Sequence, residues 1–482
     1  MVLFLSVVKK VAKNTLVLTI SQVIALASGF VYFVYMARYL GIENFGLLTF
    51  ALAITSILGI IADFGLGQLI IREVARNRGL ADKYLKNATG VKIALGFLFI
   101  LVIFLVLKLL NYQNNEAIVV FFIALSVLIN SFNQIHYSIF SAYEKMEYKA
   151  FGEIIYSCIL LGGVFFIVHE SYNITYFALL YAISSLIVLI YTIIIMNWKF
   201  IRTGINFEKQ FIKVILKQAM PFGLSAIFVS IFYQIDSIML SVLDGNQSVG
   251  IYNAAYRLIF AILTIRTIVH SSIFPLLSRS FTHKSNDQFK IICSYLFKYL
   301  LIIIIPIALG TTILADNIIY LIYGMDYIDS AIVLQILIWS NVIIFFNLYP
   351  RLFEVANKQV VLTKITLIGA LLNIVLNYIM IPHWSYIGAS VATVCTEFVI
   401  LIISYKIATP NIYDIKKSEF INFVSSILFS GFVMGLFTNY FSHYNLMFVV
   451  VGSGLIYIFM LYITKVIGKH DYYIFKSIFV SN

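Results

Sequence analysis

Three basic side chains, Lys92, Arg257 and Arg266, and three carboxylates, Asp63, Asp236 and Glu397, fall within or at the ends of long apolar runs. A charge at the centre of a bilayer costs about 2.5–3.5 kcal/mol on insertion scales, so each must face a partner or a watery cavity. Arg257 lies about eight residues, or about 12 Å, from the end of its run, too deep for an easy reach to headgroups. A cavity role and an ion pair inside the bundle both satisfy it. Arg266, nine residues on, lies on the opposite and more apolar side of the same helix, where snorkelling toward the interface competes with a cavity role. Asp63, Asp236 and Glu397 are each suited to carry a coupling proton or cation, and equally suited to neutralise an arginine. Amides recur beside these charges: Asn130 and Gln134 in one run, Asn253 ahead of Arg257, and Asn373 and Asn377 four apart in another. Such groups either line a hydrophilic path or bond helices together.

No catalytic constellation accompanies them. The seven histidines are scattered, with no HExxH pattern and no glycine-rich phosphate loop before a lysine. The three cysteines, Cys158, Cys293 and Cys395, sit in different runs and imply neither a disulfide frame nor a metal site. The expectation is therefore a non-enzyme with no cofactor.

The elements that must position these groups are membrane helices. Of 482 residues, 62% are hydrophobic and 11% charged, against roughly 45–50% and about 25% in soluble domains. Runs near the 20 or so residues that a membrane helix needs recur about 14 times. They are continuous, which excludes the alternating strands of a barrel. The predicted fold class is all-α: a polytopic membrane protein of about 14 transmembrane helices.

A net charge of +12 is compatible with nucleic acid, but its distribution argues for topology. With the N-terminus inside, about 28 of the 33 Lys and Arg fall in alternate, cytoplasmic loops, and only Arg38 and Lys108 lie in outer ones. Both termini are then cytoplasmic, and no nucleic-acid partner is implied. The outer loops are short, the longest running roughly over 315–329, too small to fold a catalytic ectodomain.

Met36 to Leu40 leads into Gly46 at the start of the second span, as Met239 to Leu243 leads into Gly250 at the start of the eighth. The chain thus begins again near Lys213, in parallel orientation, as in transporters built from two lobes. The predicted organisation is a six-helix lobe over 1–205, a second over 206–408, and two appended transmembrane helices in 409–482. A polar stretch over 409–419 separates the last pair from the second lobe.

The stretch from Ala37 to Arg76 resembles the first hairpin of Wzx-type polysaccharide flippases, members of the multidrug/oligosaccharidyl-lipid/polysaccharide exporter superfamily. So do GIYNAAYRL at 250–258, the segment 327–339, and Asn373 and Asn377 followed by IPHWSYIGASVATVCTE at 381–397. The resemblance spans about residues 10–405. Many relatives have 12 spans, so the final pair is a departure. The resemblance implies transport of an undecaprenyl-pyrophosphate-linked oligosaccharide from inner to outer leaflet of a bacterial cytoplasmic membrane, by alternating access. In that reading Arg257, with Arg266 and Lys92, holds the pyrophosphate. Asn130, Gln134, Asn253, Asn373 and Asn377 contact the cargo, and Asp63, Asp236 or Glu397 couples the cycle to H⁺ or Na⁺. Membrane lipid, a polysaccharide polymerase and chain-length machinery are the implied partners. Two alternatives stay open within the superfamily: a cation-coupled multidrug or metabolite exporter, and a flippase for the lipid-linked peptidoglycan precursor.

Overall fold

Apolar runs in hydrocarbon must satisfy every backbone N–H and C=O internally, which leaves helices as the solution for continuous sequence of this kind. The computed structural model describes residues 2–110, 112, 114–282, 286–408 and 417–468, and its described residues are helical nearly throughout. The polar stretch 409–416 and the basic residues Lys284, Lys416, Lys469 and Lys476 lie outside them.

Two compact units divide at Gly250 and Ile251. The first contains α1 (Val2–Leu58), α2 (Ile60–Asp63), α3 (Leu66–Arg76), α4 (Ala81–Leu109), α5 (Asn114–Ala142), α6 (Met146–His169), α7 (Ile174–Lys199) and α8 (Lys209–Leu243). α9 (Asn246–Thr282) begins in it and runs into the second. The second continues with α10 (Asn286–Ile313), α11 (Ala315–Tyr323), α12 (Ser330–Phe346), α13 (Tyr349–Val355), α14 (Gln359–Ala408), α15 (Lys417–Tyr440) and α16 (Leu446–Ile463).

Twelve helices among the described residues are long and apolar enough to cross a membrane. Two are of double length, 47 and 50 residues, or more than 70 Å at 1.5 Å per residue. A hydrocarbon core of about 30 Å cannot be crossed once by such a rod. Each turns partway, at Gly41 and at Ser385, so each supplies two crossings. Counting their halves separately gives about fourteen crossings among the described residues, in line with the expected number.

Three stretches that read as loops are helices. α3 buries Leu66, Leu69, Ile70 and Val74 while exposing Arg72 and Arg76. This one-sided spacing is that of an amphipathic helix at an interface. α11, in the supposed longest outer loop, buries Ala315, Ile319 and Tyr323, four residues apart. α13 follows a break in the chain at Asn347 and Leu348 and opens with Tyr349 and Pro350, where proline is tolerated in a helix's first turn.

Within the first unit, α5 packs on α7 and α1 on α6 and α8. Within the second, α10 and α14 pack on α12, and the final pair is tied to α10. Tyr457 on α16 donates to the Ile302 carbonyl at 3.1 Å, and Thr438 and Ser453 bond α15 to α16 at 2.7 Å. Large apolar side chains remain on the outside, among them Phe97, Leu101, Phe104, Trp198 and Phe459. In water these would be a liability; lipid is the solvent they fit.

Two close backbone approaches use glycine. A Cβ on Gly46 would sit 1.8 Å from the Asn246 carbonyl oxygen, and one on Gly250 would sit 2.2 Å from that of Ile42. The two glycines that mark the sequence repeat therefore meet the same pair of helix ends. Gly250→Val is expected to destabilise the detergent-purified protein by about 1–3 kcal/mol through overpacking. Gly162→Ala, where a Cβ meets nothing within 4 Å, should leave the melting temperature unchanged or raise it; thermal unfolding of both variants checks the contrast.

Candidate functional site

The second span ends at Asp63, and the chain turns sharply there before α3. Phe64 and Gly65 adopt left-handed conformations, with φ of 49° and 74°, a backbone that glycine tolerates and that other residues adopt at a cost. A Cβ on Gly65 would also lie 2.5 Å from the Gly223 nitrogen. The break is thus nested against α8 just beyond Pro221.

Across from it lies Lys92 on α4, fully buried. Its Nζ is 2.6 Å from Asp63 Oδ1, and it also donates to the Ser131 carbonyl on α5. Asp63 keeps 36% of its side chain exposed, so one member of the pair reaches solvent and the other does not. The network continues along α5 and α7. Asn130 Nδ2 donates to Ser185 Oγ at 2.9 Å, and Asn133 Nδ2 donates to the Ser185 carbonyl at 3.2 Å. Thr192 Oγ1 lies 3.2 Å from Asn133 Oδ1 and 2.9 Å from His136 Nδ1. Ser126 and Ser185 are 2.8 Å apart. His136 also lies in the field of Lys92. Gln134, one turn from Asn130, has an exposed side chain. Asp236, on α8, is buried.

The second unit gathers charge at a different helix break. α12 stops at Phe346, and Arg266 of α9 donates from Nη2 to the Asn347 carbonyl at 2.8 Å. A guanidinium there sits at the negative end of the α12 dipole. Glu397 on α14 is buried and lies in the field of Arg266. Arg351 pairs with Glu354 at 2.6 Å on α13, and His270 is buried in the fields of Arg266 and Arg351. Asn341, also buried, donates to the Ile259 carbonyl at 3.0 Å.

Asn373 and Asn377 are buried together, joined by a 3.0 Å hydrogen bond. Asn253 and Arg257 are half-buried on α9. Arg257 acts on Tyr323 at the end of α11: burial pushes that phenol above its ordinary value, and the guanidinium opposes the shift. Of the eleven side chains singled out in the sequence, the fold therefore joins Asp63 to Lys92 and Asn373 to Asn377, and sets Glu397 in the field of Arg266.

Sequence reasoning missed His136, Ser185, Thr192 and Asn347. Three are buried polar groups inside spans, and their signal was that polarity; their partners were invisible because they lie 50 or more residues away.

A transporter-type membrane bundle with polar groups buried in each unit defines the class. The first unit and the start of the second match the family of polysaccharide biosynthesis proteins over residues 11–281, more than half of the chain, and the chain belongs to that family. The MatE family matches residues 221–379. Among similar proteins is a probable low-salt glycan biosynthesis flippase of Haloferax volcanii, 23% identical over 79% of this chain and 80% of that protein. Among solved structures, the lipid II flippase MurJ in an inward closed conformation aligns with TM-score 0.71 at 17% identity, covering 97% of this chain and all of that one. An inward-facing multidrug-resistance MATE transporter aligns with TM-score 0.64 at 14% identity, covering 80% of this chain and 95% of that one. These relatives and fold neighbours are flippases and transporters, not enzymes.

Asp63→Asn would leave the Lys92 ammonium buried without its counter-charge, and about 3–5 kcal/mol of destabilisation is expected. Lys92→Met should cost less, because Asp63 reaches water. The double variant should be more stable than Asp63→Asn alone; a double-mutant cycle by unfolding in detergent measures the coupling.

Proposed function

We propose that this protein moves a lipid-linked oligosaccharide, carried on undecaprenyl pyrophosphate, from the inner to the outer leaflet of a bacterial cytoplasmic membrane for surface polysaccharide assembly. The observation that carries the reading is the family match over 11–281. The likeness to a glycan flippase over most of both chains supports it. So does the fold, since the flippase alignment extends over 97% of the chain, whereas the multidrug transporter aligns with 80%.

The chemistry is consistent. A diphosphate with sugars attached cannot enter hydrocarbon unaided, because desolvating charge and hydroxyls costs far more than a bilayer returns. A protein path must replace that hydration with fixed cations and amides while the prenyl tail stays in lipid. In this proposal Arg257 and Arg266 hold the pyrophosphate. Asn130, Gln134, Asn253, Asn373 and Asn377 contact the cargo. Lys92 joins them only when its pair with Asp63 opens. Alternating access is driven by H⁺ or Na⁺ through Asp63, Asp236 or Glu397. The basic loops set both termini in the cytoplasm. A polymerase and chain-length machinery would take the product.

The MatE match over 221–379 favours a second reading, cation-coupled export of a drug or metabolite. Deleting the gene in its host separates the two. The flippase reading expects lipid-linked oligosaccharide to accumulate while surface polymer disappears, both restored by the intact gene. Unchanged polysaccharide with altered drug sensitivity would favour the exporter.

The double variant Arg257→Ala/Arg266→Ala, inserted at wild-type level and with its fold verified by melting temperature, is expected to lose complementation. Full complementation by it would remove the two arginines from the mechanism.

A further inference from the structure

The break at Ser385 leaves a helical half of α14 that runs to Ala408, and Glu397 stands near its centre. Each end is about a dozen residues away, or about 17 Å at 1.5 Å per residue. At that depth a charged side chain is most costly and cannot reach the headgroups. The residue is only 7% exposed.

Other carboxylates inside spans have partners. Asp63 has the Lys92 ammonium at 2.6 Å. Glu153 on α6 has Ser21 Oγ at 3.3 Å and Lys149 Nζ at 3.8 Å. Asp236 is also engaged. Glu397, by contrast, forms neither an ion pair nor a hydrogen bond among the described residues. Arg266 acts on it through its field, with the guanidinium bonded to the Asn347 carbonyl at 2.8 Å.

The elements packed on this half of α14 bring no contact ion. α12 carries no ionisable side chain. α13 offers Tyr349 and Arg351, and Arg351 is paired with Glu354 at 2.6 Å. α9 approaches through Tyr252, whose hydroxyl is 3.5 Å from that of Thr393, one turn before Glu397. Its further titratable groups on this side are Arg266 and the buried His270. On α14 itself His383, Tyr386, Tyr405 and Lys406 lie toward the ends, and Cys395 is exposed. Ser390 and Ser404, two turns to either side of Glu397 and on its face, are buried. A polar stripe thus runs along the helix past the carboxyl group.

An ionised carboxylate in this position would be a buried charge without a hydrogen bond, a cost that such groups escape by becoming neutral. A proton does this with a single oxygen. A hard metal cation needs a shell of several oxygen ligands, and the field of Arg266 repels one here. We propose that Glu397 is the proton-carrying carboxylate of the transport cycle and holds its proton in this conformation. The carboxylate takes H⁺ from water in one access state and returns it to water in the other, where the positive field of Arg266 favours release. Assigning the coupling to this residue rests on the transport proposed above; the proton itself is measured without transport.

The test is infrared difference spectroscopy of the full-length protein in liposomes at neutral pH, wild type against Glu397→Gln, in H₂O and in D₂O. A carboxyl with the ordinary glutamate value of about 4.3 is ionised there. A protonated-carboxyl band present in the wild type, shifted in D₂O, lost in Glu397→Gln and kept in Glu153→Gln is the expected result. Glu397→Gln, neutral and nearly the same shape, should keep the wild-type melting temperature yet fail to complement whichever phenotype the deletion produces. The wild-type spectrum decides the matter even if the variant fails to fold: absence of the band, or its replacement by a carboxylate band on adding sodium, would overturn the proposal. Persistence of the band in Glu397→Gln, or full complementation by that variant, would overturn it as well. Unchanged polysaccharide in the deletion strain would instead remove the flippase reading and leave the proton at Glu397 standing.

Discussion

With no water in the hydrocarbon, each buried polar group must find a protein partner, and nowhere is this demand greater than at Lys92. An ammonium with no solvent exposure is held by one carboxylate and one carbonyl. The carboxylate is in place only because the second span breaks after it, and the break holds only because Gly65 fits against the α8 backbone. Removing solvent from the ammonium is costly, so the pair fixes α2, α4 and α5 together. It also leaves Asp63 as the single member with access to protons or ions from solution. A coupling carboxylate and a structural counter-ion are thus compatible roles at one residue.

The second unit answers the same demand with a helix terminus. A helix that stops inside the bundle frees carbonyls, and these are tolerated in a membrane only where protein satisfies them. Arg266 meets the Asn347 carbonyl at such a stop, and Glu397 supplies opposing charge. A side chain that the sequence left between snorkelling and a cavity is placed at an interruption. Interrupted helices recur in transporters at substrate and ion sites, which is why a structural contact of this kind does not exclude a role in the cycle.

The final helices are bound into the second unit. α15 and α16 are bonded to each other and to α10 by hydroxyl groups. The alignment with the MurJ fold extends over 97% of the chain.

Continuous apolar length was enough for the sequence to determine membrane helices, their approximate number and the basic ends of the loops, because these depend on solvent alone. The charged positions were legible for the same reason: Lys92, Arg257, Arg266, Asp63 and Glu397 stand out against hydrocarbon. So was the Gly46 and Gly250 repeat, although not that both glycines serve one close contact. Tertiary structure decided which charge meets which, since Asp63 and Lys92 are 29 residues apart and Ser131 a further 39. It decided that 66–76 and 315–323 are helices, because a short amphipathic segment gains its stability from the surface it packs on. It also decided that the linker at 200–208 is ordered. A polar segment between two apolar runs carries no periodicity, and its order comes from Lys83, Lys86 and Asn87 on α4 and Asn197 on α7.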